Sequence, residues 1–257
     1  MNTAIVTAIV TGAAQGLGLV TARRLAAAGY RVVLTDLQDV SVQAAAIGAD
    51  AIGISGDVSN EAFVEDLAAR VATDFGGAQV LVNNAGISLI RPAEDTTVDE
   101  WQRMMAVNLQ GPFLLCRAFG RQMLSAGKGS IVNVASVAGL GGVIHRSAYN
   151  TSKHGLVGLT RTLAGEWGGR GVRVNAVCPG WIKTEMDVKD MGSGAYDDTD
   201  IVNRVPMARF AMPEDVAEAI TFLASDAAAF INGVSLPVDG GWTGDISWDS
   251  LRLKTRG

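Results

Sequence analysis

Thr7-Ala8-Ile9-Val10-Thr11-Gly12-Ala13-Ala14-Gln15-Gly16-Leu17-Gly18 is the stretch that decides how this chain folds. An apolar, β-branched run ending Thr7-Ala8-Ile9-Val10 passes through a glycine turn into a helix-like segment, Leu19 to Ala28. Glycines let the backbone approach a pyrophosphate, and the start of a new helix offers free N–H groups and the positive end of its dipole. The next strand, Arg31-Val32-Val33-Leu34-Thr35, ends at Asp36, about 20 residues beyond the glycines, where a carboxylate can bind the hydroxyls of an adenosine ribose. Strand, glycine turn, helix, strand and acid together predict a dinucleotide-binding unit.

The rest of the chain alternates in the same way. Ala51-Ile52-Gly53-Ile54-Ser55 leads to Asp57-Val58, followed by a helix from Glu61 to Phe75 and the strand Val80-Leu81-Val82. A long helix covers about Val98 to Ser125, Ser130 to Ala135 is the next strand, and a helix bearing Tyr149 and Lys153 runs to Trp167. Arg173 to Val177 is a strand, Pro213 to Ala224 a late helix opened by a proline suited to its first turn, and Val234 to Val238 a last strand. Such alternation predicts an α/β fold, a Rossmann-like doubly wound parallel sheet with helices on both faces and ligands at its carboxyl ends. No linker is visible in the 257 residues, so residues 1–257 are expected to form one domain, with 242–257 as a C-terminal extension. The repeat Thr3-Ala4-Ile5-Val6, Thr7-Ala8-Ile9-Val10 is too short for a repeat architecture. The glycine- and acid-rich stretch from Asp187 to Asp200 has weak periodicity and is the best candidate for a mobile loop.

Composition narrows the function classes. Lys and Arg number 21 against 26 Asp and Glu, and the resulting net charge of −5 argues against a nucleic-acid-binding surface. Cys116 and Cys178 form neither a disulfide framework nor a metal spacing and are expected as reduced, buried thiols. His145 and His154 belong to no metal-like cluster, so catalysis is expected to be metal-independent. The apolar N-terminus lacks a basic leader region and is too short to cross a bilayer, which makes a cytoplasmic enzyme without a membrane partner the default expectation.

The chemistry is carried by Ser136, Tyr149 and Lys153. Tyr149 and Lys153 are four residues apart, which on a helix puts both side chains on one face. A free tyrosine has a pKa of about 10, and a nearby ammonium favours the phenolate, so a proton can be exchanged nearer neutral pH. General acid–base work on an alcohol or ketone requires such a group.

The glycines at positions 12, 16 and 18 depart from the G-x-G-x-x-G of longer dehydrogenases. With Asn83-Asn84-Ala85-Gly86, Ser136, Tyr149-x-x-x-Lys153 and Pro179-Gly180, the chain resembles the single-domain form of the short-chain dehydrogenase/reductase family, from Ala8 to about Trp242. The resemblance implies that Tyr149 is the general acid in reduction and the base in oxidation, that Ser136 hydrogen-bonds the reacting oxygen, and that Lys153 lowers the pKa of Tyr149 and holds the nicotinamide ribose. It assigns to Asn108 the anchoring of a water that leads protons from Lys153 to solvent. For the cofactor it implies Gly12, Gln15, Gly16, Leu17 and Gly18 at the pyrophosphate, Asp36 and Leu37 at the adenosine ribose, Asp57 and Val58 at the adenine, and Asn84, Ala85 and Gly86 on the ribose side. Pro179, Gly180, Ile182 and Thr184 receive the nicotinamide amide, while Asn83 only ties neighbouring strands together. Asp36 accepts hydrogen bonds from a ribose 2′-hydroxyl but repels a 2′-phosphate, and neither Gln15 nor Leu37 supplies a compensating cation, so NAD is expected over NADP. Arg23 and Arg24 lie inside the first helix, on a solvated face.

The family also implies a segment after the Pro-Gly turn that closes over substrate, excluding water, and a homotetramer built through the two long helices and the last strand. The positions expected near substrate are Ser88, Leu89, Ala138, Leu140, Val143, Trp181, Met186 and Met191, a mainly apolar set that suggests a hydrophobic or moderately polar secondary alcohol and its ketone. His145, four residues before Tyr149, either touches substrate or is a loop residue without such a role. The tail, with Trp242, Trp248 and the basic end Arg252, Lys254 and Arg256, is expected either to be disordered or to pack its tryptophans onto a neighbouring subunit. The expected activity is NAD-dependent oxidoreduction. A 3-oxoacyl-acyl-carrier-protein reductase is the nearest alternative, weakened by Asp36 and by the lack of a basic docking patch. A sugar-nucleotide epimerase calls for another glycine spacing, and a non-catalytic NAD sensor calls for loss of the Tyr and Lys.

Overall fold

Side chains alternate along β1 (Thr7–Thr11): Ala8 and Val10 pack on one face and Ile9 on the other, and all three are fully buried. A strand buried on both faces must lie inside a sheet covered by helices on both sides. The computed structural model describes residues 5–255 apart from Glu185, Asp187, Lys189, Met191 and 193–195, and it shows this sheet. Its strands are β1, β2 (Arg31–Asp36), β3 (Ala51–Ser55), β4 (Val80–Asn83), β5 (Gly129–Val134), β6 (Val172–Pro179) and β7 (Ser235–Val238). They lie in the order β3-β2-β1-β4-β5-β6-β7, every pair parallel.

On one face α1 (Gly16–Ala27) and α8 (Pro213–Ala224) contribute Leu17, Leu25, Val216 and Ile220 to the core. On the other, α3 (Glu61–Phe75), α5 (Gly111–Ala126) and α6 (Ser147–Trp167) contribute Leu67, Leu115, Phe119 and Leu163. The remaining described helices are α2 (Ser41–Ile47), α4 (Val98–Met105), α7 (Asp198–Arg204) and α9 (Asp249–Lys254). The chain runs outward from β1 to β3, then returns to pair β4 with β1 and proceeds the other way. This reversal opens a crevice at the carboxyl ends of β1 and β4.

Several boundaries differ from the sequence reading for physical reasons. α1 begins at Gly16, because the second half of the glycine turn is itself the helix's first turn. The long helix from Val98 is broken by a π turn over Ala106–Gln110, a feature that concentrates at functional sites. Within the acid-rich stretch, Asp187 and Met191 lie outside the described residues. Its end is helical, since Asp197 caps α7 by accepting from the Thr199 and Asp200 N–H groups and Asp200 closes the reciprocal capping box.

The tail is ordered as far as a short helix, α9. Trp242 packs edge-on against Trp181 of its own chain, with ring centroids 4.9 Å apart. Arg252 of α9 is only 7% exposed, donates to the Asn203 carbonyl at 3.0 Å, and pairs with Asp245 at 2.7 Å and with Asp249. Residues up to 255 therefore cover the α7 region, while Trp248 stays exposed and Arg256 lies outside the described residues. No described helix is long and apolar enough to cross a membrane.

Candidate active site

At the β1 end of the crevice the glycine turn is shaped by close approach. Gly12 has φ +65°, and a Cβ there would lie 2.8 Å from the Ala85 Cα. On Gly18 a Cβ would stand 2.0 Å from the Gly12 carbonyl oxygen, so only glycine lets α1 start this close to β1. Gln15, which precedes α1, makes no side-chain cap, and the first turn carries no acidic residue. The N–H groups of that turn thus face the crevice without a competing anion, a cradle that fits a pyrophosphate. Asn84 lines the crevice, but its side-chain amide is engaged in holding the turn, donating to the Thr11 and Gly12 carbonyls at 2.9 and 3.1 Å. Asn83 donates to Asn133 at 2.7 Å and ties β4 to β5.

Asp36, at the end of β2, accepts from the Ala14 N–H at 3.0 Å through one oxygen and from the Gln38 N–H at 3.0 Å through the other. Both bonds aim the carboxylate into the crevice beside the glycine turn. Leu37 next to it is 66% exposed, and neither Arg23 nor Arg24 lines the crevice; Arg24 pairs with Glu218 at 2.5 Å. Asp57 accepts from the Ser59 N–H and hydroxyl at 2.9 and 2.7 Å, which hold its carboxyl below the usual range. The nearby Arg103 of α4 also lines this end and was missed from sequence.

Gly12, Gln15, Gly16, Leu17, Gly18, Asp36, Leu37, Asp57, Val58, Asn84, Ala85 and Gly86 line one continuous cleft of about 440 Å³ with Ser136, Tyr149, Lys153, Pro179, Gly180, Ile182 and Thr184. Every residue expected to touch the cofactor is therefore on one surface, and its shape and donors fit a dinucleotide.

Ser136 stands where β5 gives way to a 3₁₀ turn over Val137–Gly139, and its hydroxyl accepts from the Ala138 N–H at 3.1 Å. Gly139 packs on α6 so tightly that a Cβ would meet the Lys153 carbonyl at 2.8 Å. This contact sets Ser136 on the same wall of the cleft as Tyr149, close enough for its hydroxyl to oppose the rise in the Tyr149 pKa. Tyr149 is half-buried at the cleft, and loss of hydration raises its pKa above that of a free tyrosine, against the opposing pull of Ser136 and Arg146. The Lys153 Nζ lies 5.6 Å from the centre of the Tyr149 ring and donates to the Val134 carbonyl at 2.8 Å. Burial pushes Lys153 down to about 8. In the free protein, burial thus dominates both groups, and the expected lowering of Tyr149 by Lys153 is outweighed.

Asn108 is 1% exposed and sits behind the cleft in the π turn. Its amide clamps Ile87, accepting from the N–H and donating to the carbonyl, each at 2.9 Å, and donates to Ser152 at 3.2 Å. Ser152 in turn donates to the Tyr149 carbonyl at 2.7 Å, so Asn108 braces the turn of α6 that carries Tyr149. Cys116 and Cys178 are buried and unjoined, and burial raises their thiols to about 12 and about 11.

The substrate end differs most from the sequence reading. Ser88, Ala138, Val143, Trp181 and Met186 line the cleft, while Leu89, Leu140 and His145 do not, and Met191 lies outside the described residues. His145 is exposed, its backbone bonded to Arg91 at 2.7 Å ahead of α6. The next residue, Arg146, turns into the cleft instead, together with Asp190 and Tyr196. The wall is therefore less apolar than its neighbouring leucines suggested.

A Rossmann-type cleft lined by a serine, a tyrosine and a buried lysine defines a class, the dinucleotide-dependent oxidoreductases. Comparison with known proteins agrees. Residues 12–243 match the family described as Enoyl-(Acyl carrier protein) reductase. The chain is 44% identical over 241 residues to D-threitol dehydrogenase of Mycolicibacterium smegmatis, covering 92% of each chain. It is 42% identical over 241 residues to cis-4-hydroxycyclohexanecarboxylate dehydrogenase of Sinomonas cyclohexanicum, covering 92% of this chain and 96% of that one. The crystal structure of a gluconate 5-dehydrogenase from Burkholderia cenocepacia J2315, in complex with NADP and tartrate, superposes with a TM-score of 0.88 at 31% identity, covering 94% of this chain and 96% of that one. The protein belongs to the short-chain dehydrogenase/reductase family and is an oxidoreductase of it.

Proposed function

We propose that the protein is an NAD-dependent dehydrogenase interconverting a secondary alcohol and its ketone, with Tyr149 as the proton-transferring group. The reading rests on one observation: Ser136, Tyr149 and Lys153 share a cleft with the uncapped N-terminus of α1 and with Asp36. The relatives support the substrate class, since threitol, 4-hydroxycyclohexanecarboxylate and gluconate all carry secondary hydroxyls.

NAD bound in this cleft supplies the hydride acceptor in oxidation and, reduced, the hydride donor in reduction. Gly12 and the first turn of α1 would hold the pyrophosphate, Asp36 the adenosine ribose, Asp57 and Val58 the adenine. Gly86 and Lys153 would face the nicotinamide ribose, and Pro179, Gly180, Ile182 and Thr184 the nicotinamide amide. Asp36 is the reason for NAD over NADP, although several solved relatives hold NADP or NADPH, because no arginine or lysine stands at Gln15, Leu37 or Gln38 to neutralise a 2′-phosphate.

Ser136 donates to the reacting oxygen and Tyr149 exchanges the proton. In oxidation the alcohol's hydroxyl proton passes to the Tyr149 oxygen as the carbinol hydrogen leaves as hydride, and reduction reverses both transfers. Lys153 stabilises the Tyr149 phenolate when protonated, and Asn108 holds the turn beneath it on the path that leads protons outward.

Initial rates of NADH and NADPH formation, measured side by side with a panel of secondary alcohols, test the reading. Turnover is expected with NAD, falling by about 10²–10⁴-fold in Tyr149→Phe as an acid–base group is lost. Asp36→Ser combined with Leu37→Arg is expected to reverse the cofactor preference. A higher kcat/KM with NADP, or full activity in Tyr149→Phe, would overturn it.

A further inference from the structure

One cluster in the cleft stands beside Tyr149 and belongs to none of the cofactor positions. Arg146, the residue that leads into α6, donates to Ser88 at 2.7 Å and to Asp190 at 2.9 Å, and Ser88 donates to the same Asp190 oxygen at 2.9 Å. The three come from separate parts of the chain, the loop after β4, the start of α6 and the segment after β6, and all line the cleft beside Tyr149. The guanidinium carbon lies 5.8 Å from the centre of the Tyr149 ring. Side-chain exposure is only 10% for Arg146 and 12% for Asp190.

We infer that Ser88, Arg146 and Asp190 read a second hydroxyl close to the reacting carbon, so that the preferred substrates are diols and polyols. This deepens the dehydrogenase reading and rests on it. Three physical points carry it. Burying an ion pair costs several kcal/mol of hydration per ion, and a wall meant for an apolar group is better built from apolar residues of similar volume. The pair is neutral overall, so it favours a neutral ligand over an anion, which Asp190 would repel. A hydroxyl both donates and accepts, and it meets here a guanidinium with five N–H donors, of which Ser88 and Asp190 take one each, beside a carboxylate acceptor. A substrate without that hydroxyl leaves charged groups facing a methylene, and sites built to hydrogen-bond a hydroxyl discriminate strongly against analogues that lack it.

The alternative role for the cluster is a tether that holds the segment carrying Asp190 against α6. The two differ in what a substitution does. A lost tether weakens all substrates alike, whereas a lost reader weakens only those with the second hydroxyl.

The test is kcat/KM with NAD for matched pairs, butane-2,3-diol against butan-2-ol and trans-cyclohexane-1,2-diol against cyclohexanol, in the wild type, Asp190→Asn and Ser88→Ala. The wild type is expected to favour the better diol stereoisomer by about 10- to 100-fold, as for a hydrogen bond to a charged group. In both variants that ratio is expected to fall by about tenfold or more. A wild type that oxidises the mono-alcohols as efficiently as the diols overturns the inference and leaves the dehydrogenase reading in place. A ratio unchanged in both variants, with all substrates weakened together, identifies the tether and overturns it too. No turnover of any alcohol with either cofactor removes the dehydrogenase reading and this one with it.

Discussion

Replacing Lys153 with Met should make the free protein more stable at neutral pH, relative to its behaviour in alkali, while removing activity. The Lys153 side chain is 4% exposed, and burial lowers its pKa from 10.5 to about 8. Between those values the unfolded chain holds a proton that the folded one has released, so stability rises with pH across the interval. At about 1.4 kcal/mol per tenfold change, the buried ammonium costs about 3 kcal/mol at pH 7 and about 1.5 kcal/mol at pH 9.5. The bond to the Val134 carbonyl and the packing of the new methionine contribute an offset that does not vary with pH. Urea unfolding of the wild type and Lys153→Met at pH 7 and 9.5 isolates the pH-dependent part. The stability difference between the two proteins should shift by about 2 kcal/mol in favour of the wild type at the higher pH. A difference that is the same at both pH values would refute the reasoning, because it would mean that Lys153 titrates alike in the folded and unfolded chains.

Asn108→Ala should remove both partners of the half-buried Ile87 N–H and carbonyl, at about 1 kcal/mol for each group, and should lower kcat as the support of Tyr149 through Ser152 loosens. Unfolding curves and steady-state rates check the two effects separately. Tyr149 holds its proton to a higher pH than free tyrosine, so ketone reduction should be favoured near neutrality and alcohol oxidation should speed up as pH rises towards 10. Rate profiles in both directions between about pH 6 and 10 would show it, and an oxidation rate that falls steadily with pH would contradict it. Truncation after Gly244 removes Asp245 and Arg252, which bond to Arg204, Asn203 and each other around α7. It should lower Tm by several degrees and raise the KM for the alcohol, because Trp242 rests on the cleft residue Trp181.

Much of this was legible locally. The β1 strand, the glycine turn and α1 are contiguous, and each step follows from a spacing or from the conformational freedom of one residue. Alternating segments give the doubly wound sheet because a strand buried on both faces and a helix of period 3.6 leave different patterns in the chain. Tyr149 and Lys153 could be paired from sequence because four residues on a helix is itself a geometry. What the chain could not disclose was which way a side chain turns once several elements meet. His145 and Arg146 are adjacent, and only the entry of the chain into α6 sends the arginine into the cleft and the histidine out to solvent. Ser88, Arg146 and Asp190 stand 58, 44 and 102 residues apart pairwise, a separation over which no local periodicity operates. The pKa directions of Tyr149 and Lys153 were decided by tertiary structure as well, because desolvation depends on how much protein closes around a group rather than on its neighbours in sequence.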